Sequence, residues 1–243
     1  MKVFGLIGYP LGHSFSKDYF IKKFSDENIQ NCSYKNFEIE SLDNFKSLVK
    51  DQKNLSGLNV TIPFKEKVLE YLDHVDDIAK EIGSVNVIKI IDNKLFGYNS
   101  DYLGFKSTLE KWLPNRSFNA LVLGSGGSSK AICFALKELG IEFEIVSTSN
   151  PLFLSYDDIK EREIYSKNKL IINSTPLGMY PDVNSYPRIQ YNFLDKNSYV
   201  YDLVYNPTLT TFLSKAKESK SNIKNGLEML ESQAKESWNI WNK

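Results

Sequence analysis

Residues 119–129, NALVLGSGGSS, decide the fold that we expect for this chain. An apolar run leads into a glycine-rich turn, and a helical pattern follows the turn. The first glycine of such a turn permits a tight bend, and the second lets the backbone approach a pyrophosphate at the helix N-terminus. A purely structural turn is the alternative, but the position between an apolar strand and a helix favours nucleotide binding. The stretch therefore predicts a dinucleotide-binding unit.

The end of the next strand predicts which dinucleotide is bound. Enzymes that use NAD usually place Asp or Glu there, and this carboxylate repels a 2′-phosphate. This chain instead has Ser147, Thr148 and Ser149, whose hydroxyls could hold a phosphate, and no arginine stands beside them. The absence of a carboxylate favours NADP as the cofactor, with NAD as the alternative.

Strand-like and helix-like stretches alternate along the chain, which predicts an α/β fold with parallel sheets. Pro63 suits the first turn of a helix, and Asp92-Asn93 is a plausible two-residue hairpin turn. Residues 150–169 look too short for a full crossover helix. A polar break at residues 114–117 marks the entry to a second domain.

Composition limits the classes of function. The chain has 243 residues, with 30 basic and 30 acidic side chains, so bulk charge provides no attraction to nucleic acid or to an anionic membrane. No apolar run approaches the ~18 residues of a spanning helix. The two cysteines lie far apart, and with only two histidines no familiar zinc-ligand spacing can be assembled. We expect a cytoplasmic protein without a metal, a membrane or a nucleic-acid partner.

Eight segments together resemble the shikimate dehydrogenase family, and they occur in the family's order. The segments are 8–16 (GYPLGHSFS), 59–65 (NVTIPFK), 83–86 (GSVN), 97–101 (GYNSD), 124–129 (GSGGSS), 173–179 (NSTPLGM), 202–207 (DLVYNP) and 226–233 (GLEMLESQ). Any one of them would be weak, whereas the ordered set is specific. The resemblance implies an oxidoreductase of chorismate and aromatic amino-acid biosynthesis, which reversibly reduces 3-dehydroshikimate to shikimate with NADPH.

The resemblance also implies the domain organisation. Residues 1–106, completed by a C-terminal helix at 223–243, would form an α/β substrate domain. Residues 107–222 would form a Rossmann-like NADP domain, with a central cleft between the two. The expected partner is the small-molecule substrate, and the protein would be a monomer or a homodimer.

Site residues follow from the same resemblance. Lys65 matches the catalytic lysine, and we expect it to hydrogen-bond both Asp101 and the reacting oxygen. Ser14 and Ser16 match the pair that binds the substrate carboxylate, with Tyr205 nearby. The positions that bind ring hydroxyls are Thr61, Asn86, Asp101 and Gln233. The positions that contact the cofactor, besides the three hydroxyls named above, are Gly124, Ser125, Gly126, Gly127, Ser128, Leu203 and Gly226.

Alternatives stay open at this point. An NAD-dependent quinate/shikimate dehydrogenase would keep the same lysine and aspartate. A non-catalytic member that binds a metabolite or nucleotide is another class, although it would have no need of a proton donor. Without the motifs, Lys65 would be interpreted as a solvated helix residue, and Asp101 and Ser16 as helix N-caps. Thr148 stands where many family members have an arginine, and Ser100 replaces the commoner threonine.

Overall fold

A computed structural model describes residues 1–12, 15–114 and 118–243. Contacts within the chain divide it into two compact units. One consists of Met1–Leu103 together with Gln233–Lys243, and the other is Gly104–Ser232. Each unit has its own sheet flanked by helices, so the predicted α/β class is confirmed. The functional division at residues 106 and 223 stays a prediction.

The first unit is built on a mixed six-stranded sheet in the order β2-β1-β3-β5-β6-β4. The strands are β1 (Lys2–Gly8), β2 (Cys32–Glu38), β3 (Leu55–Val60), β4 (His74–Val75), β5 (Val87–Ile91) and β6 (Lys94–Tyr98). The helices are α1 (Phe15–Asp26), α2 (Phe45–Asp51) and α3 (Asp77–Ile82), with short 3-10 helices at Leu42–Asn44 and Lys67–Tyr71. The expected hairpin is present, because Asp92 and Asn93 join β5 to β6 with positive φ angles of 49° and 62°.

Strand direction explains why one edge of this sheet carries most of the predicted substrate residues. Because β1, β2 and β3 are parallel, their carboxyl ends lie at the same edge. β5 is antiparallel to β3 and therefore begins at this edge, and β6, antiparallel to β5, ends there. The segments that meet at this edge contain Thr61, Lys65, Asn86 and Asp101.

An aromatic cluster covers one face of the first sheet. It packs α1 against the end of α8, the helix Leu227–Asn242. Phe4 and Trp241 stack at a centroid distance of 4.7 Å, and the Trp241 indole donates a hydrogen bond of 3.0 Å to the Ile88 carbonyl. A side chain at Gly57 would collide with Trp241, so a glycine is needed at this close approach. The end of α8, from Gln233 onward, therefore belongs to the first unit and contributes to its core.

The segment after Pro63 differs from the expected helix. Residues 61–66 consist of turns and irregular backbone, and the short 3-10 helix from Lys67 follows. The carbonyl of Lys65 accepts a hydrogen bond of 2.8 Å from the Val85 backbone amide instead of one from the next helical turn. A contact between distant segments thus overrides the local preference for a helix.

The second unit has a five-stranded, fully parallel sheet in the order β11-β10-β9-β7-β8. The strands are β7 (Asn119–Leu123), β8 (Phe143–Val146), β9 (Asn168–Asn173), β10 (Tyr199–Asp202) and β11 (Asn222–Asn225). The helices are α4 (Asp101–Trp112), which begins in the first unit, α5 (Gly127–Glu138), α6 (Arg162–Lys167) and α7 (Thr211–Glu218), with a 3-10 helix at Tyr191–Phe193. Residues 120–123 are fully buried, as is usual for a parallel sheet covered on both faces.

This sheet lacks one strand of the usual dinucleotide-binding order. That order is 3-2-1-4-5-6, and the strands here correspond to 2-1-4-5-6. Where the third strand would pair, only a single parallel bridge joins Val146 to Leu154. The helix before β9, α6, has six residues. The segment 150–169 is thus too short for a full crossover helix, as the sequence predicts.

Some features are missing from the part of the chain that the structure describes. No helix there combines the length and the apolar character needed to cross a membrane. No group of three or more His, Cys, Asp or Glu side chains is clustered there as metal ligands would be. Cys32 and Cys133 are both free cysteines.

Candidate active site

A buried ion pair lies at the edge of the first sheet. Lys65 follows β3, and Asp101 is the first residue of α4, where the helix dipole favours a negative charge. The Lys65 Nζ donates a hydrogen bond of 2.6 Å to the Asp101 Oδ2. The two side chains are only 14% and 7% exposed, so each charge depends on the other for compensation. This is the bond that the resemblance implies.

Asn86 holds the carboxylate from the other side. Its Nδ2 donates to the Asp101 Oδ1 at 2.8 Å and to the Ser100 Oγ at 3.0 Å. Its Oδ1 accepts a bond of 2.7 Å from the Ser100 backbone amide. Gln233, on α8, completes the group, because its Oε1 lies 3.4 Å from both the Asn86 Nδ2 and the Ser100 Oγ. The structure thus brings together Lys65, Asn86, Asp101 and Gln233.

The other predicted substrate residues of the first unit make different contacts or lie outside the described residues. Ser14 lies outside the described residues. Ser16, in the first turn of α1, shares a side-chain hydrogen bond with Tyr34. Thr61 follows β3 and covers Gly8 with its methyl group, so that a side chain at Gly8 would collide with it.

The chemistry of the pair is proton transfer. An ammonium group held by a carboxylate can donate a proton to a nearby oxygen, and the neutral amine can take it back. The same positive charge stabilises negative charge that develops on that oxygen. With both oxygens of Asp101 occupied, by Lys65 and by Asn86, the carboxylate is fixed in position. The arrangement suits reversible reduction of a carbonyl group.

The glycine turn after β7 has the geometry that a dinucleotide needs. Gly124 has a φ of +113°, and a Cβ there would lie 2.8 Å from the Ser174 Oγ, so only glycine fits. Gly126 is the N-cap of α5 and provides no side-chain cap, which leaves the first backbone N–H groups of the helix for a phosphate. The strand order reverses at β7, because β8 pairs with one side of it and β9 with the other. Ligands of open parallel sheets bind at such a switch point.

Two serines link this turn to the end of β8. The Ser147 Oγ accepts bonds from the backbone amides of Ser149 and Asn150, at 3.3 and 3.2 Å. Its own proton is therefore directed to the Ser125 Oγ, 2.9 Å away. Ser147 thus orients Ser125, whose proton remains for a ligand. Thr148 and Ser149 are exposed beside them.

Leu203 and Gly226 form a tight backbone contact. A Cβ at Gly226 would collide with the Leu203 carbonyl group, so a glycine is required there. The Leu203 amide in turn donates a bond of 2.9 Å to the Asn173 carbonyl. Tyr205 lies two residues further along and is partly buried, and this burial raises the pKa of its phenol. Leu203 and Tyr205 follow the carboxyl end of β10, and Gly226 follows that of β11.

A second buried carboxylate, Asp202, is not among the site residues predicted from the sequence. Asp202 ends β10 and is fully buried. It accepts hydrogen bonds from the Thr210 hydroxyl at 2.5 Å, the Asn173 Nδ2 at 2.9 Å and the Val204 amide at 3.0 Å. Burial raises its pKa from 3.8 to about 6, although these three donors act in the opposite direction. A charged residue at the end of an apolar strand is the sequence pattern that could have indicated this site.

Comparisons with known proteins show which family this chain resembles. A family model described as the shikimate dehydrogenase substrate binding domain matches residues 6–88. A shikimate dehydrogenase (NADP(+)) from Clostridium beijerinckii is 39% identical over 256 residues, covering 99% of this chain and 92% of that protein.

Solved structures extend the similarity to the whole fold. A crystal structure of a shikimate dehydrogenase with NADP+ has a TM-score of 0.88 at 32% identity, covering 99% of this chain and 90% of that one. The Thermus thermophilus enzyme in complex with NADP(H) and shikimate has a TM-score of 0.87 at 28% identity, covering 99% and 93%. Given the full-length identity and the shared fold, the chain belongs to the shikimate dehydrogenase family.

Proposed function

We propose that this chain catalyses the reversible reduction of 3-dehydroshikimate to shikimate, with NADPH as the reductant. The observation that carries this proposal is the buried Lys65–Asp101 pair, with its 2.6 Å hydrogen bond and its support from Asn86. A protein that only bound its ligands would gain nothing from a buried proton donor, which is costly to desolvate.

The pair would provide the proton of the reaction. NADPH, when bound, supplies the hydride that adds to the carbonyl carbon. The Lys65 ammonium stabilises the negative charge that develops on the carbonyl oxygen and gives that oxygen a proton, so that a hydroxyl forms. Asp101 keeps the ammonium aimed at this oxygen. In the oxidation direction, the neutral amine of Lys65 takes the hydroxyl proton.

The remaining predicted residues would bind the ring. We assign the substrate carboxylate to Ser14 and Ser16. The ring hydroxyls would be bound by Thr61, Asn86, Asp101 and Gln233, with Tyr205 as a further substrate contact. In this assignment residues 1–106 and 223–243 form the substrate domain.

Residues 107–222 would bind the dinucleotide. The uncapped N-terminus of α5 would receive the pyrophosphate through Gly126, Gly127 and Ser128. Ser125, Thr148 and Ser149 offer hydroxyl donors to a 2′-phosphate, and no carboxylate follows β8 to repel it. We therefore assign NADP as the preferred cofactor, with weaker use of NAD.

Location and assembly complete the proposal. We place the enzyme in the cytoplasm, a choice supported by its two free cysteines. We expect a monomer or a homodimer, which light scattering after size-exclusion chromatography would distinguish.

The test is a direct assay of shikimate oxidation, followed by the absorbance of the reduced cofactor. NADP+ and NAD+ are compared at matched concentrations, with quinate as the second substrate. We expect turnover with shikimate and NADP+, and a lower kcat/KM with NAD+. Turnover of quinate with NAD+ but not of shikimate with NADP+ would contradict the proposal.

A further inference from the structure

A layer of buried hydrogen bonds lies behind the residues that the proposed function assigns to the substrate. It consists of Tyr34 on β2, Asn59 on β3 and Ser237 on α8. These side chains are 4%, 5% and 0% exposed. None of the three belongs to the proposed ligand contacts, yet their hydrogen bonds lead to residues that do.

The Asn59 amide is the centre of this layer. Its Oδ1 accepts a bond of 2.8 Å from the Tyr34 hydroxyl. Its Nδ2 donates to the Ser237 Oγ at 2.8 Å and to the Asn86 carbonyl at 3.3 Å. Since both ends of the amide are engaged, Asn59 can adopt only one orientation without losing buried hydrogen bonds. It therefore links β2, β3 and α8 rigidly.

Ser237 connects the Asn59 amide to Gln233. The two residues are one turn apart on α8, and the Ser237 Oγ donates a bond of 2.9 Å to the Gln233 carbonyl. The same oxygen lies 3.3 Å from the Ser100 Oγ, which in turn contacts the Gln233 Oε1. Ser237 is thus bonded to the backbone of the substrate residue and lies next to the hydroxyl that orients its amide.

Tyr34 anchors the opposite end. Its ring stacks on Phe20 at a centroid distance of 4.6 Å, and its hydroxyl also shares a hydrogen bond with Ser16. Because the Tyr34 proton is given to Asn59, which has no proton to offer at its Oδ1, the phenol fixes which way the Asn59 amide faces. Without that phenol, the Asn59 Oδ1 would lose its hydrogen-bond donor.

We infer that Tyr34 and Ser237 are positioning residues for the proposed reaction: both bond the Asn59 amide, and Ser237 also bonds the Gln233 carbonyl, so that this layer holds Gln233 where it meets the ring hydroxyls of the substrate. The inference rests on the proposed function. An ordinary buried polar cluster would stabilise the fold alone, whereas this layer ends on Gln233, Asn86 and Ser16. Its disturbance should therefore change substrate binding in addition to stability.

The experiment compares Ser237→Ala, Tyr34→Phe and the double variant with the wild type. Each single change should raise the KM for shikimate about threefold to tenfold, the equivalent of one neutral hydrogen bond. The kcat should stay within about twofold, because the Lys65–Asp101 bond is untouched, and the KM for NADP+ should not change. Because both residues act on one amide, the double variant should raise KM by less than the product of the single effects.

A matched control is Tyr165→Phe. This tyrosine is also buried, and its phenol also donates one bond, to the Ile159 carbonyl, and accepts one, from the Gln190 amide. It should lower the Tm and leave the KM for shikimate unchanged. If Ser237→Ala and Tyr34→Phe behave like this control, or if their effects on KM multiply, the inference is overturned. A wild type that does not oxidise shikimate at all would refute the proposed function instead.

Discussion

Asp101 in the first unit and Asp202 in the second are both buried carboxylates at the carboxyl edge of a sheet, but their partners differ. Asp101 has an ammonium group, Lys65, at 2.6 Å and an amide on its other oxygen. Asp202 has three neutral donors and no cation among them. For Asp202, burial prevails over its hydrogen bonds and raises the pKa to about 6.

The difference shows what a buried charge needs for each task. Neutral donors can hold a carboxylate in place. At Asp202 these donors include the backbone amide of Val204 and the side-chain amide of Asn173, which the carboxylate fixes in turn. Proton transfer to substrate needs a group that carries a mobile proton, and only the ion pair provides one. The first arrangement suits catalysis, and the second fixes the loops after β9 and β10.

The largest effect is expected when Asp101 loses its cation and, like Asp202, keeps only neutral partners. Lys65→Met removes the cation and leaves Asp101 with the neutral Asn86 amide as its donor. We predict that kcat falls about 10²–10⁴-fold, the range for loss of a general acid–base group, while the KM for shikimate changes much less. Steady-state assays in both directions measure this.

The control for that change is Lys67→Met. Lys67 lies two residues along, in the same short segment, and is exposed. It should keep wild-type kcat. A Lys65→Met enzyme with near-normal turnover would refute the role of Lys65, and equal losses in both variants would indicate a general disturbance of the segment.

A smaller effect is expected from neutralising the second site. Because the folded state binds the Asp202 proton more tightly than the unfolded chain does, ionisation of this group lowers the free energy of unfolding. The protonated Asp202 therefore contributes stability that is lost as pH rises from about 4 to about 6. The loss in the free energy of unfolding is about 3 kcal/mol, at about 1.4 kcal/mol per tenfold difference in proton affinity. Asp202→Asn lacks this titration.

The measurement is denaturant unfolding of both proteins between pH 4 and pH 7. The free energy of unfolding of Asp202→Asn, relative to that of the wild type, should rise from about pH 4 to about pH 6 and level off toward pH 7. The use of the difference cancels the other titrating groups. A stability difference that does not depend on pH would show that Asp202 ionises in the folded protein as it does in the unfolded chain.

The smallest effect is expected where a cation is added to a site of neutral donors. The Ser147 proton is directed to Ser125, so a 2′-phosphate would meet only neutral hydroxyls near Thr148. Thr148→Arg should lower the KM for NADP+ about tenfold, through a charge-assisted bond that is partly exposed. The KM for NAD+ serves as the internal control and should not change.

Salt tests the cause of that gain. A screened ion pair should lose most of the advantage at high ionic strength. If Thr148→Arg improves NAD+ and NADP+ equally, the arginine acts on a shared part of the two cofactors. A wild type that prefers NAD+ would show that neutral hydroxyls do not select the phosphate.

Much of the fold and part of the candidate site could be predicted from the sequence, because the relevant patterns are local. The strand, turn and helix around Gly124 were expected in that order, and the bond between Lys65 and Asp101 was expected from two short motifs. The alternation of elements also predicted the α/β class. These features depend on residues close in sequence or on motifs with a fixed relation to a fold.

The buried layer behind the site could not be predicted in this way. Asn59 bonds to Tyr34 and Ser237, which are 25 and 178 positions away, so no local pattern connects them. Asn59 did interrupt an apolar strand, which indicates a buried polar group but not its partners. The helix predicted after Pro63 was wrong for the same reason, because the Val85 amide that binds the Lys65 carbonyl comes from a distant segment.

The division of the first unit between two distant stretches of chain has a consequence for biosynthesis. Residues 1–103 are translated before the second unit, but Trp238 and Trp241, which pack on Phe4 together with Phe24 of α1, are translated after it. The second unit is continuous and can fold as it emerges. We therefore expect part of the apolar face of the first unit to stay uncovered during translation, a period in which chaperones can bind it.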